Sequence, residues 1–452
     1  MVKRNIKIIA AVVIATILAF SLVLGVLPYL LSGLSKKPLE TLPQTPETSL
    51  PTSCDMPYVL ISIYKGDSKL PPQILSYVRD YFKQYIPEGQ ELTVCELPWN
   101  HSMFKGHVFR AFPALAIKAE NVSKTFMDHV GEKIGEKIYV IRYSLAVDLA
   151  TRYGIPVQYS FEAKAEIVQG VTEYSRIDNE TLASKLKYLL SLIAVANVTE
   201  VKLVEQTQYP DIEAYPAVLY SSSKNISEQL PYLKPYRGKY LIDPKYALPL
   251  VGLISYTIGA QVYTELHGKK PEVGVVVGSS EAPISLIVFA DLACSYCAKL
   301  VNETLPKLDG LVREGRISIN YAYSPSPHMM KEHATLQCYL KVTGDQEGYV
   351  EIVRELASKF LKERKAATES EIKALELKAS NGTLDFSEIE KCVNETGIKL
   401  VEEVFNEASE ISVTATPTII VWNNRENIGI IVEGYLPADK LEEIIDNLLS
   451  TV

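Results

Sequence analysis

Residues 284–297 read ISLIVFADLACSYC, and this stretch decides the fold of the C-terminal part of the chain. The apolar run Ile284–Ala290 predicts a strand that is buried on both faces. Beyond Cys297, apolar residues recur with helical spacing at Leu300, Val301, Leu305, Leu308 and Leu311. The pair Cys294 and Cys297 therefore lies where a strand turns into a helix, with Cys294 at or beside the helix N-terminus.

This position has chemical consequences for the first cysteine of the pair. The unpaired N–H groups and the dipole of a helix start stabilise an anion, and in such motifs the thiol pKa falls from about 8.5 to about 3.5–7.5. Each pKa unit corresponds to about 1.4 kcal/mol in favour of the thiolate. We therefore predict that Cys294 attacks a disulfide, or leaves from one, and that Cys297 resolves the mixed disulfide.

Two other interpretations of the Cys-x-x-Cys pair fit the sequence less well. A zinc site would need more ligands, and His328 and His333 follow far beyond the gap of about 12–15 residues that is usual in such sites. The chain contains no second Cys-x-x-Cys. An inert structural disulfide across two residues is rarer than a redox-active one. We interpret the pair as redox-active and predict no metal.

From residue 271 to residue 452 the chain resembles the DsbA-like family of thioredoxin-fold thiol–disulfide oxidoreductases. Several segments of this region match motifs of the family and occur in the family's order, and together they are more specific than a lone Cys-x-x-Cys. The matching segments are Ala282-Pro283, residues 289–297 (FADLACSYC), His328 at the start of a helical insertion, Thr416-Pro417-Thr418, and Gly434-Tyr435-Leu436-Pro437 before the last helix.

The resemblance implies how the site is built and what it acts on. Pro417 is expected to be a cis proline that faces the cysteine pair, with Thr416 offering backbone groups to a bound substrate peptide. Residues 327–411 are expected to form the helical insertion. No cofactor is implied, because electrons move through the sulfur atoms. The implied partners are cysteine-containing substrate proteins and a membrane partner that recycles the pair.

Two further points depend on the resemblance. Some family members carry a second, structural disulfide in the insertion, and Cys338 and Cys392 lie at such places; an electron relay to Cys294 is the alternative. Many relatives also have a buried acid six residues before the first cysteine, where this chain has Val288. Asp291 is nearer but is expected to point elsewhere on the turn, so proton transfer is expected to rely on water.

The composition limits the class of protein. A chain of 452 residues suggests two or three domains, and 47% hydrophobic with 22% charged residues excludes disorder, collagen and coiled coil as the main state. The net charge of −8 argues against nucleic-acid binding, because no basic surplus is present to neutralise phosphates.

Residues 54–270 are predicted to be an α/β region, and Cys54 and Cys95 are expected to form a structural disulfide there. Proline begins an apolar strand at three places, which suggests repeated units of one fold and favours this region as a degenerate copy of the thioredoxin-like unit. The alternative is that proline is common at the first position of a strand. The three segments are residues 111–117, 214–220 and 415–421.

The N-terminal part predicts a membrane anchor. Residues 8–34 carry no charge and are long enough to cross a bilayer core of about 30 Å. We expect an uncleaved signal anchor, with residues 1–7 in the cytoplasm and residues 35–53 as a proline-rich linker; a cleaved signal peptide is the alternative. A second apolar stretch, residues 247–264, contains polar side chains and is predicted to be a buried helix.

Dense glycosylation sequons place the rest of the chain outside the cytoplasm. Eight of the fifteen asparagines begin Asn-x-Ser/Thr, against about two expected if Ser and Thr fill about an eighth of positions. The even cysteine count also suits an oxidising compartment. The protein is thus expected in the cell membrane, as a single-pass protein. The sequons are Asn100, Asn121, Asn179, Asn197, Asn225, Asn302, Asn381 and Asn394.

Together these features predict a membrane-anchored, extracytoplasmic thiol–disulfide oxidoreductase. It has an α/β fold throughout: a C-terminal thioredoxin fold with a helical insertion, the α/β region before it, and an N-terminal transmembrane helix. One alternative is a disulfide isomerase or reductase of the same fold. The other is a cell-surface binding or envelope protein whose redox domain is vestigial, which predicts that Cys294→Ser leaves function intact.

Overall fold

The computed structural model describes residues 54–120, 122, 126, 130–227, 230–323, 329–413 and 415–450. The predicted cytoplasmic segment, signal anchor and linker, together with Asn121 and His328, lie outside these residues. Within them, no helix combines the length and the apolar character that a membrane crossing needs.

Three successive units share one topology. Each unit has two parallel strands joined by a helical segment, then a proline after a cis peptide bond, antiparallel strands and a closing helix. The antiparallel strands number three in each of the first two units and two in the third. The cis prolines are Pro113, Pro216 and Pro417, and each is the third residue of one of the three similar segments of the sequence. This agreement supports the interpretation as repeated units.

The first unit is a five-stranded sheet in the order β2-β1-β4-β6-β5. Its first helix buries one face against the sheet, and the buried side chains have helical spacing: Ile74, Leu75, Val78 and Phe82. A disulfide joins Cys54, before the first strand, to Cys95 in the second. The elements are β1 (Val59–Tyr64), α1 (Pro72–Phe82), β2 (Thr93–Pro98), β3 (Ala111–Phe112), β4 (Ala114–Lys118), β5 (Val130–Lys133), β6 (Ile138–Ile141) and α2 (Tyr143–Arg152).

The second unit is a five-stranded sheet in the order β12-β13-β11-β8-β9, and it shares a buried core with the first. Its closing helix, Ala247–Ile258, is mostly buried, which confirms the buried-helix interpretation of the second apolar stretch. The elements are β7 (Gln158–Tyr159), β8 (Glu162–Gln169), α3 (Glu180–Lys185), α4 (Lys187–Ala194), β9 (Asn197–Glu205), β10 (Ala214–Tyr215), β11 (Ala217–Ser221), β12 (Leu233–Tyr236), β13 (Lys239–Ile242) and α5 (Ala247–Ile258).

The third unit is built around a strand that is buried along its whole length, Ile284–Ala290, as its apolar sequence predicts. This strand pairs in parallel with β17 and antiparallel with β18. The elements are β14 (Thr264–His267), β15 (Val275–Val277), β16 (Ile284–Ala290), α6 (Ser295–Lys299), α7 (Asp309–Arg313), β17 (Ile317–Tyr323), α8 (Met330–Thr343), α9 (Gln346–Glu363), α10 (Glu369–Ala379), α11 (Phe386–Cys392), α12 (Ile398–Glu410), β18 (Thr418–Asn423), β19 (Ile428–Glu433) and α13 (Ala438–Ser450).

The helices between β17 and β18 correspond to the predicted insertion at 327–411. A disulfide joins Cys338 in α8 to Cys392 at the end of α11. Helix α9 places its apolar face over the start of α6, so the insertion covers the cysteine pair. The insertion therefore forms one wall of the environment of Cys297.

The seven-stranded sheet of the third unit extends across the predicted domain boundary at residue 271. Its order is β10-β14-β19-β18-β16-β17-β15. Strand β14 pairs with β19 on one side and with the short strand β10, from the second unit, on the other. The second and third units are therefore joined by continuous backbone hydrogen bonding.

Candidate active site

Cys294 is the N-cap residue of helix α6, at the position that the sequence predicts. The strand β16 ends at Ala290, and the turn after it is closed by the Asp291 carboxylate, which accepts the Ala293 N–H at 2.7 Å. The Sγ of Cys294 accepts the backbone N–H of Cys297 at 3.3 Å. The thiol thus occupies the place of an N-cap oxygen, where the first N–H groups of the helix point.

The surroundings of Cys294 stabilise its thiolate. A hydrogen bond with the Cys297 thiol, assisted by the backbone N–H groups of Cys297 and Tyr296, lowers the pKa of Cys294 to about 6, although partial burial opposes the shift. A thiol with this pKa is mostly ionised at neutral pH. Cys294 is half-buried, so the nucleophile remains within reach of a substrate.

Cys297 differs from Cys294 in both its burial and its pKa. Its side chain is buried, and burial, followed by the hydrogen bond to Cys294, raises its pKa well above the usual range of a thiol. Its Sγ accepts the Asp291 N–H at 3.4 Å. The two thiols therefore divide the roles that the sequence predicts: one is ionised and accessible, and the other is protonated and enclosed.

The Thr416–Pro417 bond is cis, as the resemblance implies. The carbonyl oxygen of Thr416 accepts a hydrogen bond from the Cys294 Sγ at 3.4 Å across 122 positions of sequence. The structure thus brings four predicted residues together, Cys294, Cys297, Thr416 and Pro417. Their contact results from the antiparallel pairing of β16 with β18.

In the other two units, the sheet edge beside the cis proline carries no cysteine. Another segment of the chain pairs with the pre-proline residue there and covers this edge. In the first unit Phe112, before the cis proline, pairs with Gln158, whose amide donates to the Lys65 carbonyl in the loop after β1. In the second unit Tyr215 pairs with Glu265. Phe112 and Tyr215 are buried, whereas Thr416 is half-exposed.

Glu265 reaches the loop that corresponds to the Cys-x-x-Cys turn. Its carboxylate accepts the backbone N–H groups of Val171 and Thr172, both at 2.8 Å, and the hydroxyl of Ser175 at 2.7 Å. Its Oε1 also lies 2.5 Å from Nε2 of His267. A fully buried carboxylate thus fills the position where the third unit carries a thiol.

The predicted glycosylation sites differ in accessibility. The Nδ2 atom of Asn302, to which a glycan would be attached, is buried. Asn121 lies outside the described residues. The side chains that are exposed are Asn100, Asn179, Asn197, Asn225, Asn381 and Asn394.

Two residues near Cys297 were not assigned to the site from the sequence. Asp291, which is expected to point elsewhere on the turn, has a side chain that is only 11% exposed, and the residue lines the same small cavity as Cys297. His333 was considered only as a zinc ligand, yet its fully buried ring lies 4.0 Å from Asp291. A histidine among the apolar positions of an insertion helix was the available signal.

The comparisons with known proteins agree with this geometry in the C-terminal part. The family model described as thioredoxin matches residues 270–447. The chain is also similar to the ScsC catalytic domain of Proteus mirabilis, at 15% identity, with 39% of this chain and 89% of that chain covered and a TM-score of 0.30.

Two more solved structures show a similar match. Oxidised BdbD from Bacillus subtilis is 19% identical, with 38% of this chain and 91% of that chain covered and a TM-score of 0.33. The alpha-DsbA1 protein of Wolbachia pipientis is 20% identical, with coverages of 40% and 92% and a TM-score of 0.32. Among curated proteins, none matches the chain. Because the residues of the family match are those that fold into the third unit, this unit is a thioredoxin-fold domain.

Proposed function

We propose that the protein is a thiol–disulfide oxidoreductase that acts on protein cysteines through Cys294 and Cys297. The observation that carries this proposal is the difference between the two thiols. One is half-buried with a pKa of about 6, and the other is buried directly behind it with a raised pKa. Such a pair is suited to form a mixed disulfide and then to resolve it.

The reaction needs no group other than the sulfur atoms. The Cys294 thiolate attacks a substrate disulfide, forms a mixed disulfide and releases one substrate thiolate. Cys297 then loses its proton and attacks the Cys294 sulfur, which releases the second substrate thiolate and leaves the Cys294–Cys297 disulfide. The substrate gains two electrons and the cysteine pair loses two; the reverse sequence oxidises a substrate dithiol.

The lowered pKa of Cys294 favours the oxidising direction relative to a dithiol of ordinary pKa. Stabilising the Cys294 thiolate stabilises the reduced pair, which makes the disulfide form a stronger oxidant. A pKa of about 6 lies between the values of about 7 in thioredoxin and about 3.5 in the strong oxidant DsbA. An isomerase or reductase of the same fold is the alternative.

The substrate is an extended, cysteine-containing polypeptide that approaches Thr416. Of the three pre-proline positions, this one is half-exposed, and in the described residues no strand pairs with it. The resemblance assigns the same role to Thr416 and Pro417. The two units without a Cys-x-x-Cys pair then serve to bind substrates or to set the distance from the membrane.

We further propose that the protein acts outside the cytoplasm and is anchored in the membrane. The uncharged residues 8–34 support the anchor. Six exposed sequons and two disulfides remote from the cysteine pair support an oxidising, extracytoplasmic location. We also propose a membrane partner that recycles the pair, because each turnover leaves the two cysteines in the opposite redox state.

A glutathione redox titration of the full chain, followed by alkylation of Cys294, tests the activity. A reversible transition at about −120 to −180 mV supports an oxidase or isomerase, and one at about −270 mV identifies a reductase. Cys294→Ser is the control and should show no transition. Absence of reversible exchange in the unmodified chain would refute the enzymatic proposal and favour a vestigial redox domain.

Glycosidase digestion and protease protection of the full chain in membranes test the location. A mobility shift on deglycosylation, with the C-terminal part accessible only from outside, is the expected result. A fully protected C-terminal part without glycans would contradict the extracytoplasmic assignment.

A further inference from the structure

The enclosed thiol of Cys297 poses a problem of proton transfer. Its side chain is 2% exposed, yet each turnover converts it between a protonated thiol and a disulfide sulfur. The buried acid that many relatives have is absent, because Val288 occupies its position. Val288 lies in the middle of the sheet, paired with Tyr321 and Ile419. A proton must therefore reach or leave Cys297 by another group.

The Asp291 side chain lies in the right place. It lines a cavity of about 10 Å³ together with Cys297 and Tyr323, and Val353 of helix α9 forms part of the apolar wall. A space of this size holds about one water molecule. The main chain of Asp291 is also in contact with the reacting atom, since its N–H donates to the Cys297 Sγ at 3.4 Å.

His333 adds a second polar group from the insertion. Its ring is fully buried, packs 5.3 Å from the Tyr323 ring, and places Nε2 4.0 Å from Oδ1 of Asp291. Neither ring nitrogen has a hydrogen-bond partner within the part of the chain that the structure describes. Closing the Nε2–Oδ1 distance by about 1 Å would bring the two groups into hydrogen-bonding range.

We propose that Asp291 exchanges the proton of Cys297 through one water molecule in this cavity, with His333 as the positioning residue that shares that proton. This inference rests on the proposed function. During resolution the Cys297 S–H bond breaks, the proton moves to the Asp291 carboxylate, and the Cys297 thiolate forms the S–S bond to Cys294 as the substrate thiolate leaves. In the reverse reaction the Asp291 carboxylic acid returns the proton to Cys297.

The other ionisable groups around the carboxyl do not compete for this proton at neutral pH. Burial raises the pKa of Tyr323 well above its usual value, so its hydroxyl stays protonated. Burial lowers the pKa of His333 to about 4, so its ring is neutral at neutral pH. From α6 the facing thiol is Cys297, and from α9 the cavity is lined by apolar Val353 and Ala357.

The test separates the two steps of the reaction. The reduced full chain is mixed with oxidised glutathione between pH 5 and 9, quenched in acid, and the glutathione adduct on Cys294 is followed by mass spectrometry. For Asp291→Asn, which keeps an oxygen to close the turn, adduct formation should be unchanged. Its resolution should slow by about tenfold or more and recover with increasing hydroxide concentration.

Three variants make the result specific. Asp291→Glu should restore part of the resolution rate, and His333→Phe, which keeps the ring contact with Tyr323, should slow resolution and change its pH profile. Glu376→Gln removes another buried carboxyl of the insertion and should resolve at the rate of the unmodified chain. If Asp291→Asn does not fold, the pH profile of His333→Phe decides.

The outcomes distinguish this inference from the proposed function. If the unmodified chain forms no adduct, the proposed function is wrong. If it forms and resolves the adduct, but Asp291→Asn or His333→Phe resolves with the same rate and pH profile, the role of Asp291 and His333 is wrong while the oxidoreductase stands.

Discussion

At the scale of single residues, two thiols three positions apart differ because one lies at a helix start and the other inside the domain. Cys294 accepts the Cys297 N–H, and the Cys297 side chain has only 2% of its surface exposed. The same cysteine type therefore serves as nucleophile at one position and as resolving group at the next turn. The neighbouring thiol is itself part of the tuning, since it is the first cause of the lowered pKa of Cys294.

Replacing Cys297 by Ala should raise the pKa of Cys294 from about 6 towards the usual value of a thiol, because the hydrogen bond from the second thiol is lost. The backbone N–H groups remain, so the shift should be partial. The pH dependence of iodoacetamide alkylation measures it, with Cys294→Ser as the control for labelling elsewhere. An unchanged midpoint near pH 6 would show that the helix start alone stabilises the thiolate.

At the scale of elements, helix α10 buries a carboxyl on its apolar face. Glu376 lies one turn after Ile372, both side chains are fully buried, and neither carboxyl oxygen has a hydrogen-bond partner among the described residues. Burial raises the pKa of Glu376 to about 8, so the folded insertion holds this group protonated. The helix therefore contains a group whose ionisation opposes folding.

The stability of the insertion should fall as the pH rises. The folded-state pKa of Glu376 lies above its ordinary value of 4.5. Its contribution is therefore complete below about pH 4.5 and is lost towards pH 8, at up to about 1.4 kcal/mol per pH unit. Glu376→Gln should remove this dependence, so its advantage in thermal unfolding grows between pH 5 and 8. A difference from the unmodified chain that stays constant with pH would contradict the assignment.

At the scale of the whole molecule, the three units are connected at the sheet edges that lie beside the cis prolines. In each unit without a Cys-x-x-Cys pair, the side chain opposite the pre-proline residue reaches the loop after the first long strand: Gln158 contacts Lys65, and Glu265 contacts Val171 and Thr172. Glu265 also belongs to β14, which pairs with β19 of the third unit. One buried carboxylate thus links the second unit to the redox-active one.

Glu265→Gln should loosen this link. Hydrogen bonds to a charged group contribute about 1.5–3 kcal/mol each, and the Gln amide would direct an NH₂ group towards donors. Hydrogen exchange at residues 170–175 and in β14 should increase, whereas Glu213→Gln, at an exposed carboxylate directly before β10, the strand that pairs with β14, should have no effect. Unchanged exchange at both places would show that Glu265 does not hold the units together.

The acid side of the stability curve provides a second measurement. Burial opposes ionisation of Glu265, but hydrogen bonds from His267, Thr172, Val171 and Ser175 outweigh it and lower the pKa of this carboxyl below its usual value. The stabilisation is therefore present at neutral pH and is lost as the pH falls through the folded-state pKa. Glu265→Gln should make the unfolding midpoint less dependent on pH in the acid range.

The sequence was sufficient to predict the structure where the pattern involved residues close to one another in the chain. The apolar run before Cys294 and the helical spacing after it predict a strand, a turn and a helix start, because secondary structure and capping depend on residues a few positions apart. The match of motifs also located Pro417 opposite the pair. The short repeat around three prolines was enough to suggest repeated units, although not to establish their topology.

Tertiary structure alone decided which distant residues meet. Asp291 faces inward and lies near His333 of the insertion, 42 positions further along the chain. Glu265 enters the second unit and accepts the N–H of Val171, 94 positions earlier. No periodicity or spacing specifies such contacts, because they depend on how helices and sheets pack after they form. The nucleophile is thus a property of the local sequence, and its proton route and its link to the other units are properties of the fold.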